Sequence, residues 1–255
     1  VKILFVFHHG GITGASLALY STIEWLSENT TFEMSFLLRE NGIVGEMVSK
    51  YGKVYNWEEE EYKQLNILSR IKRKIFPIKT KTQILIDEIE KQNFDIIYFN
   101  TIICSKIIHQ FAKLHSVKIW HIHELELAIN YYGIKHLNAV SNISKVIANS
   151  RSTELALLKF GFNKNIISVV YPFINCHKIT ESLNPQVQRH DFNIPENAFI
   201  IGTSGTVMDR KGVDSFISLS VMIDKLLPNN EFYYTWVGGY TNKQKIMFDH
   251  DLLKS

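Results

Sequence analysis

The sequence predicts an α/β protein: a doubly wound parallel sheet followed by the first βαβ unit of a second sheet. Three observations predict it. Short, continuous apolar runs recur through residues 1–173, and most are followed by a stretch of helical spacing. Runs of that kind suit strands buried on both faces, and their alternation with helices implies a parallel sheet. Residues 174–197, rich in polar side chains and carrying Pro185 and Pro195, lack periodicity and read as a connection, after which strand and helix patterns resume over 198–255.

The elements follow in order. "VKILFVF" (1–7) is a buried strand, and Ala15, Ala18, Leu19, Thr22, Ile23 and Leu26 mark the helix behind it. "EMSFLL" (33–38) is a strand, Thr82, Leu85, Ile86 and Ile89 a helix, and "DIIYFN" (95–100) a strand. Ile107, Phe111 and Leu114 predict a helix, "VKIWHIH" (117–123) and "KVIAN" (145–149) strands, and 151–160 a helix closing at Gly161. "ISVVY" (167–171) ends the first domain at Pro172. In the second, "AFIIGTSG" (198–205) and "EFYYTWVGG" (231–239) are strands, and Val213, Phe216, Ile217, Ser220, Ile223 and Leu227 form a helix stripe between them.

Bulk properties narrow the class. The chain has 255 residues and a net charge of +3, too small an excess to imply nucleic acid. Its two cysteines, Cys104 and Cys176, make no disulfide framework, so a reducing, cytoplasmic compartment is the expectation. No apolar run is long enough to span a bilayer, and the first residues carry no signal-peptide pattern.

Three constellations carry chemistry. "HHGGITG" (8–14) ends the first strand and opens a helix, so bare backbone and free helix N–H groups can meet an anion there. Its G-G-x-x-G spacing is not the dinucleotide fingerprint, and no lysine follows for a nucleoside-triphosphate loop. A tight turn without a ligand would use the same glycines. "WHIHE" (120–124) ends another strand; period two puts His121 and His123 on one side, His121 inside the strand and His123 at its reachable end. "GTSGTVMDRKGVD" (202–214) puts Arg210 and Lys211 ahead of a helix, a place for a diphosphate clamp as well as for two solvated cations.

Taken in order, these pieces resemble the family 4 (group 1) retaining glycosyltransferases, whose GT-B fold has two facing Rossmann-like domains. The resemblance rests on Gly10-Gly11, the "HE" at 123–124, "ANSRSTELALLKFGF" (148–162), "VVYPF" (169–173), "GTSGTVMDRKG" (202–212) and "WVGG" (236–239). It implies an acceptor-side domain over 1–173, a connection over 174–197 and an incomplete donor-side domain over 198–255. It further implies a nucleotide-sugar donor, a glycan or lipid-linked acceptor and no metal cofactor. Gly10 and Gly11 would offer backbone amides to the donor diphosphate. His123 would stand near the transferred sugar with Glu124 supporting it, and Arg210 and Lys211 would neutralise the leaving diphosphate. Thr206 stands where the family commonly has an arginine, so Arg210 is the replacement. Asn149 and Ser150 read as caps of the helix at 151–160. His8 and His9 could line the acceptor side or simply end their strand.

The family's Glu-x7-Glu motif lies beyond the last residue of this sequence. The expectation is a chain truncated within the donor-side domain, binding donor weakly, with an open sheet edge that could pair with another copy. "RIKRKIFPIKTK" (70–81), six cations among apolar residues after the acidic 58–61, suits an anionic membrane surface as well as a solvated loop. Other readings are a metal-dependent hydrolase using His121 and His123 with Glu124 and His8 or His9, and a nucleotide-dependent oxidoreductase with Arg39 and Glu40 at a ribose. A non-catalytic binding scaffold is the third.

Overall fold

Side chains along the first strand sort alternately into two cores. Leu4 and Val6 join one, with Ile97, Phe99, Trp120 and Ile122. Ile3, Phe5 and Phe7 join the other, with Leu19, Ile23 and Phe36. A strand buried on both faces needs a sheet covered on both faces, which is what parallel topology provides. The computed structural model describes residues 1–40, 42–57, 79–132, 142–176, 179–180 and 188–239, with Arg210 described in its main chain only.

The chain divides into two compact units, Val1–Cys176 and His177–Ser255. In the first, β1 (Lys2–Phe7), β2 (Glu33–Leu38), β3 (Gly52–Asn56), β4 (Ile96–Asn100), β5 (Val117–Ile122), β6 (Lys145–Ala148) and β7 (Ile167–Val169) form one sheet. Its order is β3-β2-β1-β4-β5-β6-β7, and every pair is parallel. The order reverses between β1 and β4, so their carboxyl ends make the crevice where open α/β sheets bind ligands. Helices α1 (Gly14–Asn29), α2 (Ile43–Ser49), α3 (Lys81–Lys91), α4 (Ser105–Ile108), α5 (Glu126–Tyr132) and α6 (Arg151–Lys159) alternate with the strands.

Helix ends are capped by side chains. Thr13 caps α1, with Ser16 returning the bond to the Thr13 N–H at 2.7 Å. Thr80 and Gln83 do the same for α3, and Ser150 caps α6. Each such cap stabilises its helix by about 1 kcal/mol.

Some elements depart from the sequence reading. The edge strand β3 buries Tyr55 alone, and α2 buries only Val44 and Val48, so neither shows enough apolar pattern to be found. Helix α5 buries Ile129 alone. The predicted helix around 107–114 is instead a short α4 between two 3-10 turns, Ile102–Cys104 and His109–Phe111. Its β-branched isoleucines disfavour a long α-helix. β7 stops at Val169, two residues before Tyr171.

The second unit contains β8 (Phe199–Ser204), α7 (Val213–Leu226) and β9 (Phe232–Val237), with β8 and β9 parallel. A cavity of about 450 Å³ lies among Val207, Val213, Phe216, Trp236 and Gly238. The acidic 58–61 and the basic segment up to residue 78 lie outside the described residues, as do residues 240–255. Among the described residues no helix is long and apolar enough to cross a membrane.

Candidate functional site

The carboxyl ends of β1, β4, β5 and β6 bring most of the sequence-predicted residues of the first unit together. After β1 the chain turns through His8, His9, Gly10 and Gly11 into α1. Gly10 is buried and Gly11 exposed. The Gly10 carbonyl accepts from the Val44 N–H at 3.0 Å, which ties this turn to the start of α2. The Gly11 N–H donates to His9 Nδ1 at 2.8 Å. One of the two amides assigned to an anion is therefore engaged by the imidazole beside it.

Gly42 makes the tie between turns possible. A Cβ there would lie 2.4 Å from the Gly10 oxygen. Gly42→Ala is expected to destabilise the first unit by about 1–3 kcal/mol through overpacking against backbone. Gly14, at the first position of α1, has open space where its Cβ would go. Gly14→Ala should leave stability unchanged or raise it by about 0.4–1 kcal/mol. Urea midpoints of the two variants check the contrast; equal midpoints would contradict it.

His123 follows β5 and is held at three points. Its main-chain N–H donates to Glu124 Oε2 at 3.0 Å, and its carbonyl accepts from Asn149 Nδ2 at 3.2 Å. Its ring Nε2 meets Asn100 Oδ1 at 2.8 Å. Glu124 thus supports His123 through the main chain, and the same carboxylate oxygen accepts the Ile102 N–H at 3.0 Å. Burial pushes the Glu124 carboxyl above its usual range, against the pull of these N–H donors. Asn149 is more than a cap: Ser150 takes that role, while Asn149 spans from His123 to the Thr153 hydroxyl at 2.7 Å.

His121 is buried, as its place inside the strand predicts. Its Nδ1 pairs with the Tyr98 hydroxyl at 2.7 Å, and its ring lies 3.9 Å from that of His123. Its Nε2 is buried without a partner among the described residues, as is Nδ1 of His8. Desolvation pushes His121 down to about 3 and His123 to about 4. His8, edge-on to His9 at 4.0 Å, is pushed down to about 4 by burial, with His9, His123 and Arg39 adding to the effect. The rings of His8, His121 and His123 stay neutral at neutral pH and serve as hydrogen-bonding groups rather than cations.

Next to them, Thr101 has φ +79°, a conformation costing a β-branched residue about 1–3 kcal/mol. It is held by its N–H to the His121 carbonyl and by Trp120 Nε1 to its own carbonyl, both at 2.8 Å. Among the described residues no group of three His, Cys, Asp or Glu side chains is placed to hold a metal ion. A cavity of about 280 Å³ lined by Glu90, Asn93, Asp95, His115 and Ser116 opens at the other, amino ends of β4 and β5.

In the second unit Lys211 ends a 3-10 turn, Asp209–Lys211, just before Gly212 and α7. Its aliphatic stem covers Gly205 at the end of β8, where a Cβ would lie 3.3 Å from Lys211 Cδ. The turn is closed by Gly238 (φ +144°), whose Cβ would lie 2.0 Å from the Gly205 oxygen. Trp236 Nε1 donates to that oxygen at 2.9 Å. Lys211 itself is exposed, at the N-terminal end of a 14-residue helix, where an anion is favoured. The side chain of Arg210 lies outside the described residues.

The sequence reading missed Asn100, Tyr98 and Thr101. Asn100 had a signal: it is the polar residue that ends an otherwise apolar strand, in register with His121.

No family model matches the chain. It is similar to the alpha-galactosylglucosyldiacylglycerol synthase of Streptococcus pneumoniae (strain ATCC BAA-255 / R6), 23% identical over 235 residues, covering 84% of this chain and 60% of that protein. Among solved structures it is similar to Anabaena Alr3699/HepE in complex with UDP and glucose, with a TM-score of 0.67 and 17% identity over 98% of this chain and 64% of that one. A glycosyltransferase from Rickettsia africae gives a TM-score of 0.64 at 15% identity, over 93% of this chain and 60% of that one. The fold is therefore GT-B-like, with the seven-stranded sheet as its Rossmann-like first unit. The chain spans about 60% of the curated relative it matches.

Proposed function

We propose that this chain is part of a glycosyltransferase of the family 4, retaining type, moving a sugar from a nucleotide-sugar to a glycan or lipid-linked acceptor. The observation that carries this reading is His123, fixed at three points beside the glycine turn at the sheet's switch point. The relative named for a glycolipid synthase and the neighbour solved with UDP and glucose support the substrate class.

In the proposed reaction the bond from the anomeric carbon to the nucleoside diphosphate breaks, the acceptor hydroxyl oxygen bonds to that carbon in its place, and the hydroxyl proton passes to the departing diphosphate. Stabilising the negative charge on the departing phosphate is the chief demand. Lys211 and Arg210, at the N-terminal end of α7, are assigned to that charge, with the amides of Gly10 and Gly11. His9 must leave the Gly11 N–H for that amide to serve. Fixed N–H groups and cations can do this work without a metal. His123 is assigned to the sugar, Glu124 to holding it, and His8 and His9 to the acceptor side. Cys104 and Cys176, not joined in a disulfide, suit a cytoplasmic enzyme.

Thermal shifts of the 255-residue chain with millimolar UDP, GDP, CDP and dTDP test the reading, with NAD and zinc alongside. One nucleoside diphosphate is expected to raise the melting temperature; saturation to 100 times Kd would add about 2.7 kcal/mol. A response to NAD alone would favour an oxidoreductase, and to zinc alone a hydrolase. Silence from all four diphosphates would remove the support for donor binding by this chain.

A further inference from the structure

Asn100 joins the two halves of the first unit's site. It ends β4, is fully buried and makes two side-chain bonds in opposite directions. Its Nδ2 donates to the Ala15 carbonyl, in the first turn of α1, at 3.1 Å. Its Oδ1 meets His123 Nε2 at 2.8 Å. A carbonyl can only accept, so the amide must turn its NH2 toward Ala15. That leaves its oxygen, also an acceptor only, facing the imidazole. The hydrogen in the second bond must therefore come from the ring.

We infer that Asn100 is a positioning residue that fixes His123 in the Nε2–H tautomer and leaves Nδ1 a bare acceptor. A neutral imidazole carries one N–H, and Asn100 takes it. The structure gives His123 Nδ1 no partner among the described residues. His121 lies tilted against the ring but directs its own Nδ1 at Tyr98, so it does not compete for Asn100. Desolvation holds His123 well below its ordinary pKa, which keeps the ring in a single neutral form at neutral pH.

The consequence is a choice of ligand chemistry. A bare sp2 nitrogen accepts a hydrogen from a hydroxyl and gives nothing to a phosphate oxygen. On the functional reading above, on which this step rests, His123 meets a sugar or acceptor hydroxyl, while anionic groups are left to the amides and cations. Asn100 also couples that ring to α1, so the glycine turn and the histidine cannot drift apart without breaking one of its bonds.

The test is the tautomer itself, read by long-range 1H–15N NMR on the histidine-labelled chain without any substrate. The His123 signals are assigned from their absence in His123→Gln. The expected result is a single Nε2–H form in the wild type and a mixture of both tautomers in Asn100→Leu. Asn100→Asp keeps an acceptor toward Nε2 and adds a negative charge, so it should retain Nε2–H and titrate at higher pH. An Nδ1–H ring in the wild type would overturn the inference, and so would an unchanged Nε2–H ring in a folded Asn100→Leu. If Asn100→Leu does not fold, the wild-type tautomer and the Asn100→Asp titration decide. A correct tautomer in a chain that binds no nucleotide would refute the functional reading and leave the role of Asn100 standing.

Discussion

Trp120→Ala is expected to destabilise the first unit by about 3–5 kcal/mol, the range for deleting a fully buried aromatic side chain. Trp120 is 0% exposed and packs against Phe162 at 6.0 Å between ring centroids. It also holds the carbonyl of Thr101, the residue whose φ of +79° lies outside the ordinary regions. Thr101 in turn donates its N–H to the His121 carbonyl, so the loss reaches the histidine strand. Trp120→Phe keeps most of the packing and removes the donor; the Thr101 carbonyl then keeps only the Cys104 N–H at 3.3 Å, a loss of about 0.5–1.5 kcal/mol. Urea unfolding followed by circular dichroism separates the two variants. A shift in Trp120→Ala of less than about 0.5 kcal/mol, the size of an ordinary surface change, would contradict the burial described here.

The second large effect is acid destabilisation that begins above the carboxylate range. His8, His121 and His123 are pushed from 6.5 down to about 4, 3 and 4. Between their folded and unfolded pKa values the unfolded chain binds more protons than the native one. The stability tied to neutral rings is fully present above pH 6.5 and is lost as pH falls through about 4 for His8 and His123 and about 3 for His121. Each ring contributes a slope of up to about 1.4 kcal/mol per pH unit within its window. Glu124 works the other way: its raised carboxyl takes up a proton earlier in the native state and offsets part of the loss in acid. His9 and Arg39 beside His8, and His123 beside His121, add like charge to burial in this cluster. Urea midpoints at about pH 7.5 and about pH 5 should differ by several kcal/mol in stability, and His8→Gln should reduce the slope. A flat profile between those values would contradict a buried, neutral histidine cluster.

Most of the first sheet is legible in the sequence, because β1, β2, β4, β5 and β6 are short apolar runs of the kind a doubly covered strand needs, alternating with helical spacing. β3 escapes because an edge strand needs only one inward side chain, Tyr55. The long helix expected near Phe111 breaks into short turns because the chain leaves β4 through Thr101 at positive φ and a run of isoleucines, a tertiary constraint with no periodic signature. For the site, the glycine turn and the His121–His123 alternation announce themselves by residue type and spacing. What the sequence hides is which atoms meet. Asn100 and Asn149 lie 23 and 26 positions from His123, and parallel pairing brings them to it. Likewise, the Gly11 amide looks open on paper but is occupied by His9.

The measurement that bears most directly on the central claim is a histidine NMR titration of the chain with the nucleoside diphosphate that gives a thermal shift, and with its sugar conjugate. His8, His9 and His123 stand at the carboxyl ends of the strands, whereas His115 lies before β5 at their amino ends and His109 is exposed on the turn after α4. Ligand is expected to move the His8, His9 and His123 resonances, with the sugar conjugate moving His123 further, and to leave His109 and His115 in place. Binding that shifts His115 or His109 and leaves the other three unmoved would contradict this, because the ligand would then lie away from the carboxyl ends of the strands.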